Sequence, residues 1–173
     1  MHATIEALTR YDQHFRYQLH DAYFQNRGLA AWTENEIPHE ITTNIGTARQ
    51  HVRVLLSHFL HLEPDLGDGP YVVQEIGGGL GRFATNVFRA LDTLTLPGAD
   101  RLAARLRYLF SDVSPLSVSE AAASPDLEPY VTAGRIIPTL FDVRAPDSLT
   151  TLDGDLVDLP LHAVIANYVV CTT

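Results

Sequence analysis

The chain has 173 residues, 46% of them hydrophobic and 19% charged, which excludes a disordered polypeptide and gives enough length for one domain with a real core. A net charge of −9 argues against a nucleic-acid or anionic-membrane surface as the main partner. All 12 basic residues are arginine, and the lack of lysine removes a Walker-A phosphate loop and Schiff-base chemistry.

The single cysteine, Cys171, forms no intrachain disulfide and fits a reducing compartment. The opening MHATIEALTRYDQHF has no apolar run of the signal-peptide type. The longest apolar stretch, 163–170, is interrupted by Asn167 and is too short to span a bilayer. A soluble, cytoplasmic protein is the expectation, with no membrane partner.

Residues 4–26 read as a helix, with Ile5, Leu8, Phe15, Leu19, Ala22 and Tyr23 at roughly helical spacing. This segment either packs on the main domain or forms an aromatic lid. A loop carrying the only tryptophan, Trp32, leads to a second helix whose apolar face is Ile41, Ile45, Ala48, Val52, Leu55, Leu56 and Phe59. His58 and His61, three apart on that helix, have no further ligand at a suitable spacing, so no metal is expected. Residues 1–62 thus form an N-terminal helical region, and Glu63–Pro70 reads as a turn-rich linker.

From residue 71 strands and helices alternate. The first strand is 71–76 and the first helix 82–96, ended by Pro97 and Gly98. A second strand, 107–112, is followed by a helix to Ala123 with Ser114 as N-cap and Pro115 in its first turn. A third strand spans 135–141, with Pro138 marking it as an edge, and a fourth, 162–170, reads as a buried parallel strand. The expected fold is α/β: a doubly wound, Rossmann-like, mostly parallel sheet over 71–173, preceded by helices.

Ligands on such sheets sit at the carboxyl ends of the strands. Here the first strand ends in Glu75 and then Gly77, Gly78, Gly79 and Gly81, while Asp112, Asp142 and Asn167 follow at the ends of the other three. A dinucleotide fingerprint needs a third glycine where Arg82 stands, and an acid before the first glycine repels a pyrophosphate. The pattern E-x-G-x-G-x-G suits a ligand carrying positive charge. Each acid also has a plainer reading as a cap for the helix that follows it.

In these residues the chain resembles the cofactor half of the class I S-adenosylmethionine-dependent methyltransferases. The resemblance implies S-adenosyl-L-methionine as cofactor. Glu75 would bind its methionine amino group, Gly77, Gly78, Gly79 and Gly81 would form the floor, Asp112 with Val113 would meet the ribose, and Asp142 would lie near the adenine. Asn167 would stand at the methyl-facing position. The Ala166-Asn167 pair is also similar to the MidA-like methyltransferases, a family that includes a mitochondrial complex I assembly factor with protein-arginine methyltransferase activity. That family continues with an acidic or phenylalanine-aspartate segment, where this chain has Tyr168-Val169-Val170-Cys171.

The resemblance implies methyl transfer to an acceptor the sequence does not specify, with a protein as one option. No residue reads as a general base; Glu34, Glu36 and His39 are candidates by position alone. The fold is expected to be an incomplete methyltransferase domain. It would lack most acceptor contacts and leave the fourth strand as an apolar edge open to self-association. The alternative is a non-catalytic interaction module that retains the fold.

Overall fold

A computed structural model describes residues 14–27, 30, 40–147, 149–167 and 169. Among them the elements run α1 (Arg16–Arg27), α2 (Glu40–Thr43), α3 (Ile45–Leu66), β1 (Tyr71–Ile76), α4 (Arg82–Asp92), α5 (Ala99–Arg105), β2 (Leu106–Asp112), α6 (Pro115–Ala122), α7 (Glu128–Thr132), β3 (Ile136–Leu140), β4 (Thr150–Thr151) and β5 (Ala163–Ala166). The fold is α/β: a mixed, mostly parallel sheet of order β4-β3-β2-β1-β5 with flanking helices. β1 pairs in parallel with β2 and β5, and β2 with β3, while β4 runs antiparallel to β3. From β1 the chain steps outward through β2 and β3, then returns to the other side of β1.

One face of the sheet supplies most of the core. Tyr71, Val73, Leu106, Tyr108, Phe110, Ile136 and Ile165 join Ala48, Val52, Leu55, Leu56 and Phe59 of α3 and the apolar face of α4 in one buried cluster. Helix α3 is therefore part of the same core as the sheet. The other face carries buried Val72 and Leu109 beside three buried polar residues, Gln74, Ser111 and Thr139. Their hydrogen bonds are met within the sheet: Gln74 Nε2 donates to Ser111 Oγ at 3.2 Å, Ser111 Oγ to the Glu75 carbonyl at 2.5 Å, and Thr139 Oγ1 to the Phe110 carbonyl at 3.2 Å.

Several expected boundaries need correction. The single second helix is two, broken at Asn44, whose side chain accepts the Thr47 N–H at 3.0 Å and caps α3. Ile41 and Ile45 fall outside the buried face as a result, at 78% and 37% exposure. At its other end α3 absorbs half of the expected linker and carries Pro64 inside its last turns. A bidentate pair from Arg101 to Glu63 (2.7 and 3.0 Å) and the packing of Leu62 and Leu66 on the core hold that end helical.

The helix after β1 ends at Asp92, four residues early, where the Thr93 hydroxyl donates back to the Arg89 and Ala90 carbonyls. Gly98 ends nothing; with φ of 85° it starts α5, and a Cβ there would come within 2.7 Å of Leu60 Cδ2 on α3. Ser114 does cap α6, its Oγ accepting the Ser117 N–H at 3.2 Å.

β3 is not an edge, because β4 pairs with Thr139 and Leu140, but that pairing begins just past Pro138, whose missing N–H is not needed there. The fourth expected strand, 162–170, is reduced to Ala163–Ala166 and lies at the end of the sheet order rather than between neighbours. Only Ile165 of it is buried, and Val164 is 53% exposed. Residues 4–13 of the expected first helix, and positions 168 and 170–173 at the tail, lie outside the described residues. No helix among the described residues is long and apolar enough to cross a membrane.

Candidate functional site

Parallel pairing brings the carboxyl ends of β1, β2, β3 and β5 to one edge of the sheet. The register pairs Ile76 with both Ser111 and Ala166, so the next residues, Gly77, Asp112 and Asn167, stand level across three strands. Leu140, paired with Asp112, continues that row onto β3.

Glu75 lies two residues before this row, 4% exposed. The Tyr108 hydroxyl donates to its Oε2 at 3.0 Å. Burial pushes the Glu75 carboxyl up to about 8; the Tyr108 hydrogen bond opposes this, and the nearby Asp112 charge adds to it. The Tyr108 hydroxyl is itself raised well above its ordinary value, by burial first and by Glu75 second. Burial therefore favours the neutral form of the Glu75 carboxyl.

Asp112 ties the glycine turn to β2. Its Oδ2 accepts the Gly79 N–H at 3.0 Å and its Oδ1 the Ser114 N–H at 3.2 Å. The turn is fixed further by the Gly78 N–H to the Ser111 carbonyl and the Gly81 N–H to the Gly78 carbonyl, both 2.9 Å. Gly77, Gly79 and Gly81 all have positive φ, at 72°, 51° and 70°.

The space a Cβ would take at these glycines belongs to the chain itself. At Gly78 it would enter the Phe110 ring, at Gly81 it would meet Leu127, and at Gly77 it would lie 2.7 Å from Val169 Cγ2. Intramolecular packing accounts for the missing side chains at these three positions, which the sequence pattern assigns to ligand approach.

Asp142 follows Phe141, whose backbone N–H donates to the Asp112 carbonyl at 3.1 Å. It lies past the end of β3, and its two oxygens hold Arg144: Oδ1 accepts from Nε and from the backbone N–H, both at 2.9 Å, and Oδ2 from Nη2 at 2.8 Å. The Arg144 hydrogen bond holds its carboxyl below the usual range. Val113 is half-buried after β2, and Asn167 is half-buried after β5. Glu34, Glu36, His39 and Trp32 lie outside the described residues.

Tyr108 is the site residue that sequence reading missed. It is an ordinary inward position of β2, and only the β1–β2 register sets its hydroxyl against Glu75. His58, weighed as a metal ligand, has Nδ1 2.7 Å from the Tyr71 hydroxyl. Among the described residues no three His, Cys, Asp or Glu side chains come together as a metal site. Comparison of the chain with protein-family models, with curated proteins and with solved structures found no match.

Proposed function

We propose that this chain is a Rossmann-like, doubly wound methyltransferase domain that binds S-adenosyl-L-methionine at the carboxyl ends of β1 and β2. The observation carrying this reading is the pair Glu75 and Asp112 on adjacent parallel strands, with Asp112 also accepting the Gly79 N–H in the turn between β1 and α4. The reversal of strand order between β1 and β5 supports it, since crevices form where neighbouring strands lead their chains apart.

The donor set fits the cofactor in part. A buried acid below the turn is suited to an ammonium group, and an acid ending the next strand is suited to vicinal hydroxyls. Asp142 already accepts from Arg144 in the chain alone. The cofactor supplies an electrophilic methyl group. Glu75 would orient the amino group, giving up its proton as the cation arrives, and Asp112 would exchange a backbone partner for a ribose hydroxyl. The similarity to MidA-like enzymes extends the proposal to a protein acceptor, and the outer edge of β5 to self-association.

Calorimetry with S-adenosyl-L-methionine tests the reading. Saturable binding, weakened about tenfold or more by Glu75→Gln, is expected. Absence of binding to the folded chain would sink it. A second reading, a retained fold without catalysis, has one observation in its favour: both Asp112 oxygens already serve backbone N–H groups.

A further inference from the structure

A groove of about 370 Å³ opens between α3 and the segment joining α4 to α5. It is lined by Arg49, Val52 and Arg53 of α3, by Thr93 at the end of α4, and by Leu94 and Leu96. The two arginines are one helical turn apart on the same side of α3, so their charges repel. Apolar side chains share the lining with them, and the volume is in the range of small-molecule sites.

What sets these arginines apart is their lack of partners among the described residues, in an acid-rich chain of net charge −9. Arg89 pairs with Asp126, Arg101 with Glu63, Arg135 with Asp92 and Arg144 with Asp142. Arg105 holds the Gly69 carbonyl, and Arg107 holds the carbonyls of Ala104 and Leu106. Arg16, Arg27 and Arg82 are engaged as well. Among the described residues, Arg49 and Arg53 have neither an ion pair nor a hydrogen bond, although acids outnumber bases 21 to 12 in the sequence.

We propose that this groove is a binding site for a small molecule with an oxyanion head, a phosphate monoester or a carboxylate, joined to an apolar body. The guanidinium groups take the head, and Leu94 and Leu96 take the body. The site is built from α3 and the end of α4 rather than from the glycine turn, so it stands independently of the cofactor reading.

A plainer account is that the arginines merely offset the partial negative charge at the carboxyl end of α4. Amide-resolved NMR titration of the full chain separates the two, using phenyl phosphate and benzoate against chloride at constant ionic strength. Saturating shifts confined to Val52, Thr93, Leu94 and Leu96 are expected, with affinity reduced about tenfold or more in Arg49→Gln/Arg53→Gln. Saturation with phenyl phosphate alone assigns a phosphate head, and with benzoate alone a carboxylate. Shifts no larger than chloride produces, or unchanged in the double variant, would overturn the site. Both side chains are exposed, so the variant should keep the wild-type spectrum elsewhere. A collapsed spectrum would show that the arginines serve the fold, and would overturn the proposal too.

Discussion

The Tyr108 hydroxyl donates to Glu75 Oε2 at 3.0 Å, in the core beneath the glycine turn. Two strands are locked to each other by a side-chain bond in which one partner is an acid pushed up to about 8 by burial.

This makes stability fall with rising pH over a defined window. Below the ordinary value of 4.5 the folded and unfolded chains both hold the Glu75 proton, so the full stability is present. Between 4.5 and about 8 the unfolded chain gives up its proton first and stability declines; above about 8 the decline levels off. Glu75→Gln keeps an acceptor for Tyr108 and removes the titration. Urea unfolding should show the variant gaining on wild type by a few kcal/mol between about pH 4 and about pH 8. Parallel curves would disprove the assignment.

Asp112 carries two backbone N–H groups, so its loss should be felt in stability as well as binding. Asp112→Ala is expected to cost about 1–3 kcal/mol by chemical denaturation, because buried donors lose their acceptor. Faster amide exchange at Gly79 and Ser114, but not at Gly98, is the local signature. Unchanged exchange at Gly79 would show that the turn is held by other means.

Gly81 and Gly134 separate backbone strain from packing. Both have positive φ, 70° and 66°, but a Cβ at Gly134 meets nothing within 4 Å while one at Gly81 runs into Leu127. Gly134→Ala should cost about 1 kcal/mol and Gly81→Ala about 2–4 kcal/mol in thermal or urea unfolding. Equal costs would mean that Leu127 moves aside freely.

His162 closes the start of the β1–β5 pairing with its ring. Its backbone N–H donates to the Val72 carbonyl at 2.9 Å, and its ring Nδ1 accepts the Val72 N–H at 3.0 Å, standing in for a backbone carbonyl. This fixes the neutral ring as the Nε2–H tautomer. His162→Ala should cost about 1 kcal/mol and speed exchange of the Val72 amide selectively. Exchange spread evenly along β1 would argue against a local clasp.

The sequence made the strand-turn-helix at 71–92 legible because its signals are local: an apolar β-branched run, glycines, then helical periodicity. Ser114 and Pro115 were legible for the same reason. The end of α3 was not, since Pro64 and Gly67 read as breakers, whereas Arg101, 38 residues from Glu63, and the packing of Leu62 and Leu66 on the core show why the helix persists past Glu63. Similarly, the pairing of Asp142 with Arg144, two residues on, appears only in the structure. Glu75 and Asp112 could be chosen from their positions, whereas Tyr108 needed the register between strands. The packing role of Gly78 and Gly81 was likewise invisible, because Phe110 and Leu127 are remote in the chain.

The position of β5 beside β1 also bears on how the molecule assembles. Strands β1, β2 and β3 each pair with the next one along the chain, but β5 must return past β3 and β2 to reach Val73 through Ile76. The contact between Val72 and His162 spans 90 residues. Closing so long a loop is entropically slow, so the edge carrying Asn167 should be the last part of the sheet to form and the first to detach. The carboxyl-end row of Gly77, Asp112 and Asn167 would then be completed only at the final step of folding.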